Sequence, residues 1–303
     1  MTDYIEIKNL TKSYGTVKAV DDLSFKVKKG ELFAFLGVNG AGKSTTISVM
    51  SGTLEKDSGK VFIGGNDLDE NPDAIKKELG VVFQNSVLDK SLTVYDNLLH
   101  RASLYGITGK DFDKRLNELK EMLSFGDFIN RPIGKLSGGQ RRKIDVARAL
   151  IHQPEILILD EPTTGLDPMT RQIMWEVIEN LRKEKKMTVF LTTHYMEEAA
   201  SADFVVIIDS GKIVAEGTPV QLKNKYTDDY ITLYGVEEDE VKKLNMPYLF
   251  VSDAYRISVK DTVVATKLII ENPELFKDYE ITKGKMDDVF LSVTGKKLTG
   301  ENK

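Results

Sequence analysis

The sequence predicts an α/β protein: a parallel sheet flanked by helices, an antiparallel β portion, a helical insert and a small α+β domain at the C-terminal end. Two patterns predict the sheets. The continuous apolar run Leu32–Leu36 is typical of a buried parallel strand, and the alternation in Tyr4–Leu10 is typical of a half-exposed antiparallel strand. Helical spacing replaces these patterns from about Thr93 to Ile151. The class is therefore α/β with an all-helical interruption.

The length of 303 residues indicates two domains. Apolar residues make up 41% and charged residues 29%, a balance typical of a globular protein with a sizeable core. The composition shifts after Lys225. We therefore expect one domain over residues 1–225, with its helical insert at about 87–151, and an accessory domain over residues 226–303.

The elements of the first domain follow in order from local patterns. Leu23–Val27 alternates like Tyr4–Leu10, and a glycine-rich turn joins Leu32–Leu36 to a helix that starts at Ser44–Met50. Further strands are predicted at Val61–Gly65, Val81–Phe83, Ile156–Leu159, Thr188–Leu191 and Val205–Ile208, with a hairpin arm at Gly211–Gly217. In the insert, helices are predicted from Thr93, where Thr93-Val94-Tyr95-Asp96 resembles a capping box, over Phe112–Phe125 and over Arg141–Ile151. A helix near Thr170–Lys185 makes the strands after the insert alternate with helices, which favours a parallel sheet.

The C-terminal part shows a β-α-β-β-α-β order, which predicts a small ferredoxin-like fold. The predicted strands are Tyr230–Tyr234, Tyr248–Val251, Tyr255–Val259 and Tyr279–Thr282, and the predicted helices lie near Glu237–Leu244 and Thr262–Glu271.

Composition excludes several classes of protein. The chain has 42 basic and 47 acidic residues, a net charge of −5, so no basic footprint for nucleic acid or anionic lipid is expected. The absence of cysteine excludes disulfides, thiolate catalysis and iron–sulfur clusters. The N-terminus shows no secretion signal, and no apolar run approaches the roughly 20 residues that span a bilayer. We expect a cytoplasmic chain whose membrane role, if any, depends on a partner.

A glycine-rich loop is the first candidate site. Gly37-Val38-Asn39-Gly40-Ala41-Gly42-Lys43-Ser44 fits the pattern G-x-x-x-x-G-K-[ST] between a buried strand and a helix. Glycines let backbone N–H groups turn towards phosphate oxygens, Lys43 reaches the terminal phosphates, and the Ser44 hydroxyl is placed to bind Mg²⁺. The alternative is a chance glycine-rich turn. The strand–loop–helix context favours a P-loop NTPase core.

Two carboxylates follow the apolar strand Ile156–Leu159. Asp160 lies at the carboxyl end of a predicted buried strand, where a P-loop protein holds Mg²⁺, and Glu161 is placed to polarise an attacking water. Taken alone, the pair could also be a surface turn before Pro162.

A family resemblance rests on the ordered set of motifs. Leu136-Ser137-Gly138-Gly139-Gln140 is identical to the signature motif of ABC-type ATPases, and it precedes Asp160-Glu161 as it does in that family. Gln84, Gly165-Leu166-Asp167 and His194 complete the set, so that about Ile5 to Lys225 resembles an ABC-type nucleotide-binding domain.

The resemblance implies a role for each matching residue, with ATP and Mg²⁺ as cofactors. Lys43, Gln84, Glu161 and His194 are the implied catalytic residues, and Ser44, Gln84 and Asp160 the implied metal ligands. Tyr14 resembles the aromatic that stacks on adenine, although an edge-strand tyrosine is the alternative. The implied nucleotide-binding residues are Tyr14, Gly37, Asn39, Gly40, Ala41, Gly42, Lys43, Ser44, Thr45, Ser137, Gly139 and Gln140.

The resemblance also implies partners. Ser137 and Gly139 open a helix, which makes an anion site, and in the family this motif meets the ATP of a second copy. A head-to-tail dimer is therefore expected, as a homodimer, with Asp167 at the interface and a transmembrane permease as a separate chain. The chain would then lie on the inner face of the cell membrane.

Three functions compete: the ATPase subunit of a transporter, a soluble ABC ATPase acting on ribosomes or nucleic acid, and a stand-alone NTPase or kinase. The single P-loop, the absence of a heptad insert and the acidic charge favour the transporter subunit. Met286–Gly295 resembles a terminal segment of drug, antibiotic and lipid exporters, which favours export over import. The cargo is not encoded in this chain, because the permease selects it.

Overall fold

The computed structural model describes residues 3–296, so residues 1–2 and 297–303, the outer ends of the two predicted domains, lie outside the described residues. The described strands are β1 (Asp3–Tyr14), β2 (Val17–Lys28), β3 (Leu32–Leu36), β4 (Ser58–Ile63), β5 (Asn66–Asp67), β6 (Leu79–Val82), β7 (Ile156–Asp160), β8 (Thr188–Thr193), β9 (Phe204–Asp209), β10 (Lys212–Gly217), β11 (Asp229–Tyr234), β12 (Tyr248–Val251), β13 (Ala254–Val259) and β14 (Tyr279–Thr282).

The described α-helices are α1 (Lys43–Met50), α2 (Pro72–Glu78), α3 (Val94–Ser103), α4 (Gly109–Leu123), α5 (Gly138–Leu150), α6 (Pro168–Lys185), α7 (Met196–Ala200), α8 (Pro219–Tyr226), α9 (Glu238–Lys242), α10 (Thr262–Glu271) and α11 (Met286–Thr294). None of these helices is both long and apolar enough to cross a membrane.

The central sheet has the strand order β10-β9-β3-β8-β7-β6, and its strands are parallel except β10, which pairs antiparallel with β9. Strands β3, β7 and β8 are buried along their whole length, which explains their continuous apolar runs. In register, Leu36 pairs with Thr193 and Asp160 pairs with Thr192. The carboxyl ends of these three strands therefore meet at one edge, which is where ligands bind in open α/β sheets.

An antiparallel sheet of order β2-β1-β4-β5 packs against one face of the central sheet. Phe25 of β2 stacks on Phe33 of β3 with ring centroids 5.3 Å apart, and Phe190 of β8 continues the aromatic layer. The other face packs against α5, α6 and α7, and the insert helices α3 and α4 pack on α5 within the same core. Of the described strands, none lies between β6 and β7, so the all-helical prediction for this stretch is confirmed.

The C-terminal elements follow the order β-α-β-β-α-β and form an antiparallel sheet of order β12-β13-β11-β14, the arrangement of a ferredoxin-like fold. This sheet has its own small core around Ile231, Leu233 and Ile257. The last helix, α11, leaves this unit and packs on α7 and α8, where Val289 and Phe290 join the main core. The boundary at 225/226 stays a prediction.

Candidate phosphate-binding and catalytic site

The glycine-rich loop lies between β3 and α1 at the carboxyl edge of the sheet. A Cβ placed on Gly42, whose φ is +110°, would lie 2.3 Å from the carbonyl oxygen of Ala19, and one on Gly37 would lie 2.6 Å from the carbonyl oxygen of Ile208. Neither position has room for a side chain, so backbone atoms line the loop at these two residues. Such a loop, continuing into the first turn of a helix, is suited to bind phosphate oxygens through N–H groups.

The remaining loop residues are arranged around this backbone. Asn39 and Gly40 are exposed at the tip, Ala41 is buried, and Ser44 and Thr45 lie in the first turn of α1. Lys43 is 4% exposed, and its Nζ donates hydrogen bonds to the carbonyl oxygens of Gly37 at 2.8 Å and Val38 at 3.1 Å. The ammonium group is therefore held over the loop.

Asp160, at the end of β7, faces Ser44 across the site. The Ser44 Oγ donates to Asp160 Oδ1 at 3.4 Å, and the hydroxyl of Thr192 donates to the same oxygen at 2.6 Å. No cluster of three or more His, Cys, Asp or Glu residues suited to a metal occurs within residues 3–296. A hydroxyl beside one carboxylate instead fits Mg²⁺, which takes hard oxygen ligands and few of them from the protein.

Glu161 is the centre of the site. Its φ of +46° is unusual for a residue with a side chain, and its backbone N–H donates to both the carbonyl and the hydroxyl oxygen of Thr192, each at 3.1 Å. The side chain is turned towards the P-loop. Its Oε1 lies 3.2 Å from Lys43 Nζ, while Gln84 Nε2 donates to Oε2 at 3.1 Å. His194 Nδ1 lies 3.3 Å from Oε2, at an angle that makes no hydrogen bond.

The charge of Glu161 is set by opposing effects. Burial raises the pKa of its carboxyl group, but the nearby Lys43 ammonium and, to a smaller extent, the His194 imidazole outweigh burial and lower the pKa below its ordinary value of 4.5. The carboxylate is therefore ionised near neutral pH and able to accept a proton.

The four predicted catalytic residues come together although they lie far apart in the sequence. Two contributors were not predicted from sequence. Thr192 binds both Asp160 and Glu161, and its position immediately before Thr193-His194 was the available signal. The buried guanidinium of Arg142 donates to the carbonyl oxygens of Phe83 at 2.6 Å, Pro162 at 2.8 Å and Asp160 at 3.1 Å. Burial lowers the pKa of Arg142.

The signature segment starts α5. Ser137 and Gln140 form a capping box: Ser137 Oγ accepts from the Gln140 N–H at 3.2 Å, and Gln140 Oε1 accepts from the Ser137 N–H at 3.0 Å. A Cβ on Gly139 would lie 2.6 Å from the Thr170 side chain in α6, the helix that Asp167 caps. In the described part of the chain, no hydrogen bond or ion pair joins this segment to the P-loop. One chain alone therefore does not assemble all the predicted residues.

Tyr14 also stands apart from the P-loop contacts. It is the last residue of β1, pairs with Val17 across a hairpin, and leaves 53% of its surface exposed. An exposed ring at a hairpin end is compatible with stacking on a base, and that role stays a prediction.

A family model matches part of this chain, and curated relatives match most of it. The family model described as "ABC transporter" matches residues 20–164. The Nod factor export ATP-binding protein I of Rhizobium etli is 33% identical over 308 residues, which cover 97% of this chain and 94% of that protein. The chain belongs to the ABC transporter family. The linearmycin resistance ATP-binding protein of Bacillus subtilis is 40% identical over 238 residues, covering 77% of this chain and 76% of that protein.

Solved ABC cassettes share the fold. A dimeric ATP-binding cassette in a post-hydrolysis state, bound to ADP and Pi, superposes with a TM-score of 0.65 at 27% identity, covering 71% of this chain and 98% of that one. This chain is accordingly an ATP-binding subunit of the ABC family and an ATP hydrolase. ABC cassettes work as dimers with transmembrane partners.

Proposed function

We propose that this ABC ATPase hydrolyses ATP in a dimer of two identical copies and thereby drives export through a permease that is a separate chain. The proposal for how this chain hydrolyses ATP rests on one observation: Lys43, Gln84 and His194 converge on the Glu161 carboxylate. This convergence supports a site in which Lys43 is the cation, Glu161 the proton acceptor, and Gln84 and His194 the groups that orient it.

The glycine-rich loop binds phosphate through positive charge and N–H donors. The amide groups of the loop and the ammonium of Lys43 stabilise the negative charge that develops on the transferred phosphoryl group. Residues 37–45 supply the phosphate contacts, and Tyr14 supplies a stacking surface for the adenine.

Glu161 accepts the proton of the attacking water. Gln84 and His194 fix the orientation of its carboxylate, because both place nitrogen atoms beside Oε2. Ser44, Asp160 and Gln84 would hold Mg²⁺, which neutralises phosphate charge when bound. The buried hydroxyl of Thr192 holds the Asp160 carboxylate in position for this.

The second copy completes the site. Ser137, Gly139 and Gln140 lie at the start of α5, and the positive N-terminal end of this helix is suited to bind the ATP held by the P-loop of the partner copy. Asp167 would lie at the same interface. Two ATP molecules then close the dimer, and hydrolysis opens it.

The direction of transport is supported by the relatives. One is named for Nod factor export and another for linearmycin resistance, a function that export can provide. We propose export of a substrate chosen by the permease, with the chain bound to the permease at the inner face of the membrane. Residues 1–225 would form the nucleotide-binding domain and residues 226–303 the accessory domain.

The substitution Glu161→Gln tests the proposed chemistry. The amide cannot accept the proton of water, so we expect ATP binding to be retained and kcat to fall by about a hundredfold or more. Steady-state phosphate release and equilibrium titration with a fluorescent ATP analogue measure the two quantities. Glu184→Gln, at an exposed position of α6, is the matched control. Near-normal hydrolysis by Glu161→Gln would remove Glu161 from its role.

A further inference from the structure

A buried carboxylate lies behind the catalytic residues. Glu198, on α7, is 4% exposed. Its Oε1 accepts a hydrogen bond from the hydroxyl of Thr163, and its Oε2 accepts one from the hydroxyl of Thr193 at 2.6 Å. Both threonines are fully buried. In the described part of the chain, Glu198 forms no ion pair, so these two hydroxyls are the groups that satisfy its charge.

The two threonines belong to the loops that carry the catalytic side chains. Thr163 follows Glu161 by two residues, and Thr193 immediately precedes His194. The Thr193 oxygen also accepts a hydrogen bond from the Tyr195 N–H at 2.8 Å, so its proton is directed towards Glu198. Glu198 thus adds a side-chain link between two loops that are separated along the chain by α6 and β8.

The helix that carries Glu198 is itself fixed in place. Met196 and Ala199 on the same helix are buried in the main core, and α11 packs against this helix. The carboxylate therefore projects from a rigid support. Burying a carboxylate without a cation beside it costs free energy. We therefore asked what Glu198 contributes at this position between the two loops.

We propose that Glu198 is a positioning residue for ATP hydrolysis: it holds the Glu161 loop against the His194 loop, so that Glu161 Oε2 and His194 Nδ1 stay 3.3 Å apart. This inference rests on the proposed roles of Glu161 and His194. Each carboxylate oxygen accepts one hydroxyl proton. An amide has a single acceptor oxygen and would turn N–H donors towards the other hydroxyl.

The substitution Glu198→Gln tests this link in the purified full-length chain. We expect kcat for ATP hydrolysis to fall by about ten- to a hundredfold while KM for ATP changes by less than about twofold, because misplacement of catalytic groups affects the chemical step. Glu197→Gln makes the same charge change at the exposed neighbouring position and should leave kcat unchanged. A wild-type kcat in Glu198→Gln would overturn the proposal.

If Glu198→Gln also lowers the melting temperature, a second pair of variants separates a positioning role from a general loss of stability. Thr163→Ser keeps the hydroxyl that donates to Glu198, whereas Thr163→Val replaces it with a methyl group of similar size. The proposal requires kcat to be retained by the serine variant and lost by the valine variant, and equal activities would contradict it. Glu161→Gln is measured alongside, and normal hydrolysis by that variant would refute the proposed role of Glu161 instead.

Discussion

At the scale of single residues, neighbouring groups determine which side chains carry charge. Glu161 is kept ionised by Lys43 and His194 although it is buried. For His152, at the opposite end of the central sheet, burial prevails and disfavours the charged form. Its Nε2 donates to the carbonyl oxygen of Leu79 at 3.0 Å, its ring stacks on Tyr105 at 4.0 Å, and its Nδ1 is buried without a hydrogen-bond partner.

This environment predicts a pH dependence of stability. Burial lowers the pKa of His152 from 6.5 to about 4, and the charges of Arg101, Arg115 and Arg148 contribute in the same direction. Between these two pKa values the unfolded chain binds a proton that the folded chain does not, so His152 makes the free energy of unfolding fall as the pH drops from about 6.5 to about 4.

The substitution His152→Gln removes this titration. We expect the difference in unfolding free energy between pH 7 and pH 5 to become smaller than in the wild type, as measured by urea denaturation at both pH values. Comparing each variant with itself cancels any general loss of stability. His100→Gln, at an exposed position, is the control. An unchanged pH difference in His152→Gln would contradict the assignment.

At the scale of elements, a capping motif marks a helix start better than apolar spacing does. Helices α4 and α5 begin at Gly109 and Gly138, three residues before the starts that apolar spacing predicted. The capping box predicted at Thr93 is present, with the Asp96 N–H donating to Thr93 Oγ1 at 3.1 Å. Helix α11 depends instead on long-range packing. An isolated helix of this length is marginal in water, and α11 is stabilised by burying Met286, Val289 and Phe290.

The substitution Phe290→Ala tests the packing of α11. Phe290 is 1% exposed, so we expect its truncation to lower the free energy of unfolding by about 3–5 kcal/mol. Leu291 on the same helix is 40% exposed, and Leu291→Ala should cost much less. Chemical denaturation compares the two variants. Equal costs would show that α11 does not pack on the nucleotide-binding part in solution.

At the scale of the whole molecule, the chain is one subunit of an ABC transporter. Among the described residues, its signature segment forms no hydrogen bond or ion pair with its own P-loop. ABC cassettes work as dimers with transmembrane partners, so a second copy is the expected partner of the signature segment.

Affinity purification from native membranes, gently solubilised in detergent, tests the permease. We expect a protein with several membrane spans to co-purify in stoichiometric amount, identified by mass spectrometry. Recovery of ribosomes or of proteins without membrane spans alone would contradict the transporter assignment, while the ATP site would stand.

By itself, the sequence determined the fold class, most element positions and the residue types of the site. Periodicity and capping are local properties, so the buried runs at β3 and β7 and the glycine-rich loop between β3 and α1 could be identified without a structure. The order of strands and helices along the C-terminal part followed from the same kind of pattern.

Only the tertiary structure decided how the site is held together. The parallel register that pairs Leu36 with Thr193 and Asp160 with Thr192 brings three distant loops to one edge. Contacts of Arg142 and Glu198 with these loops join residues far apart in the chain, and no local pattern encodes such a contact. The physical reason is that side-chain burial and hydrogen bonding between loops depend on sheet register, which arises when the whole domain folds.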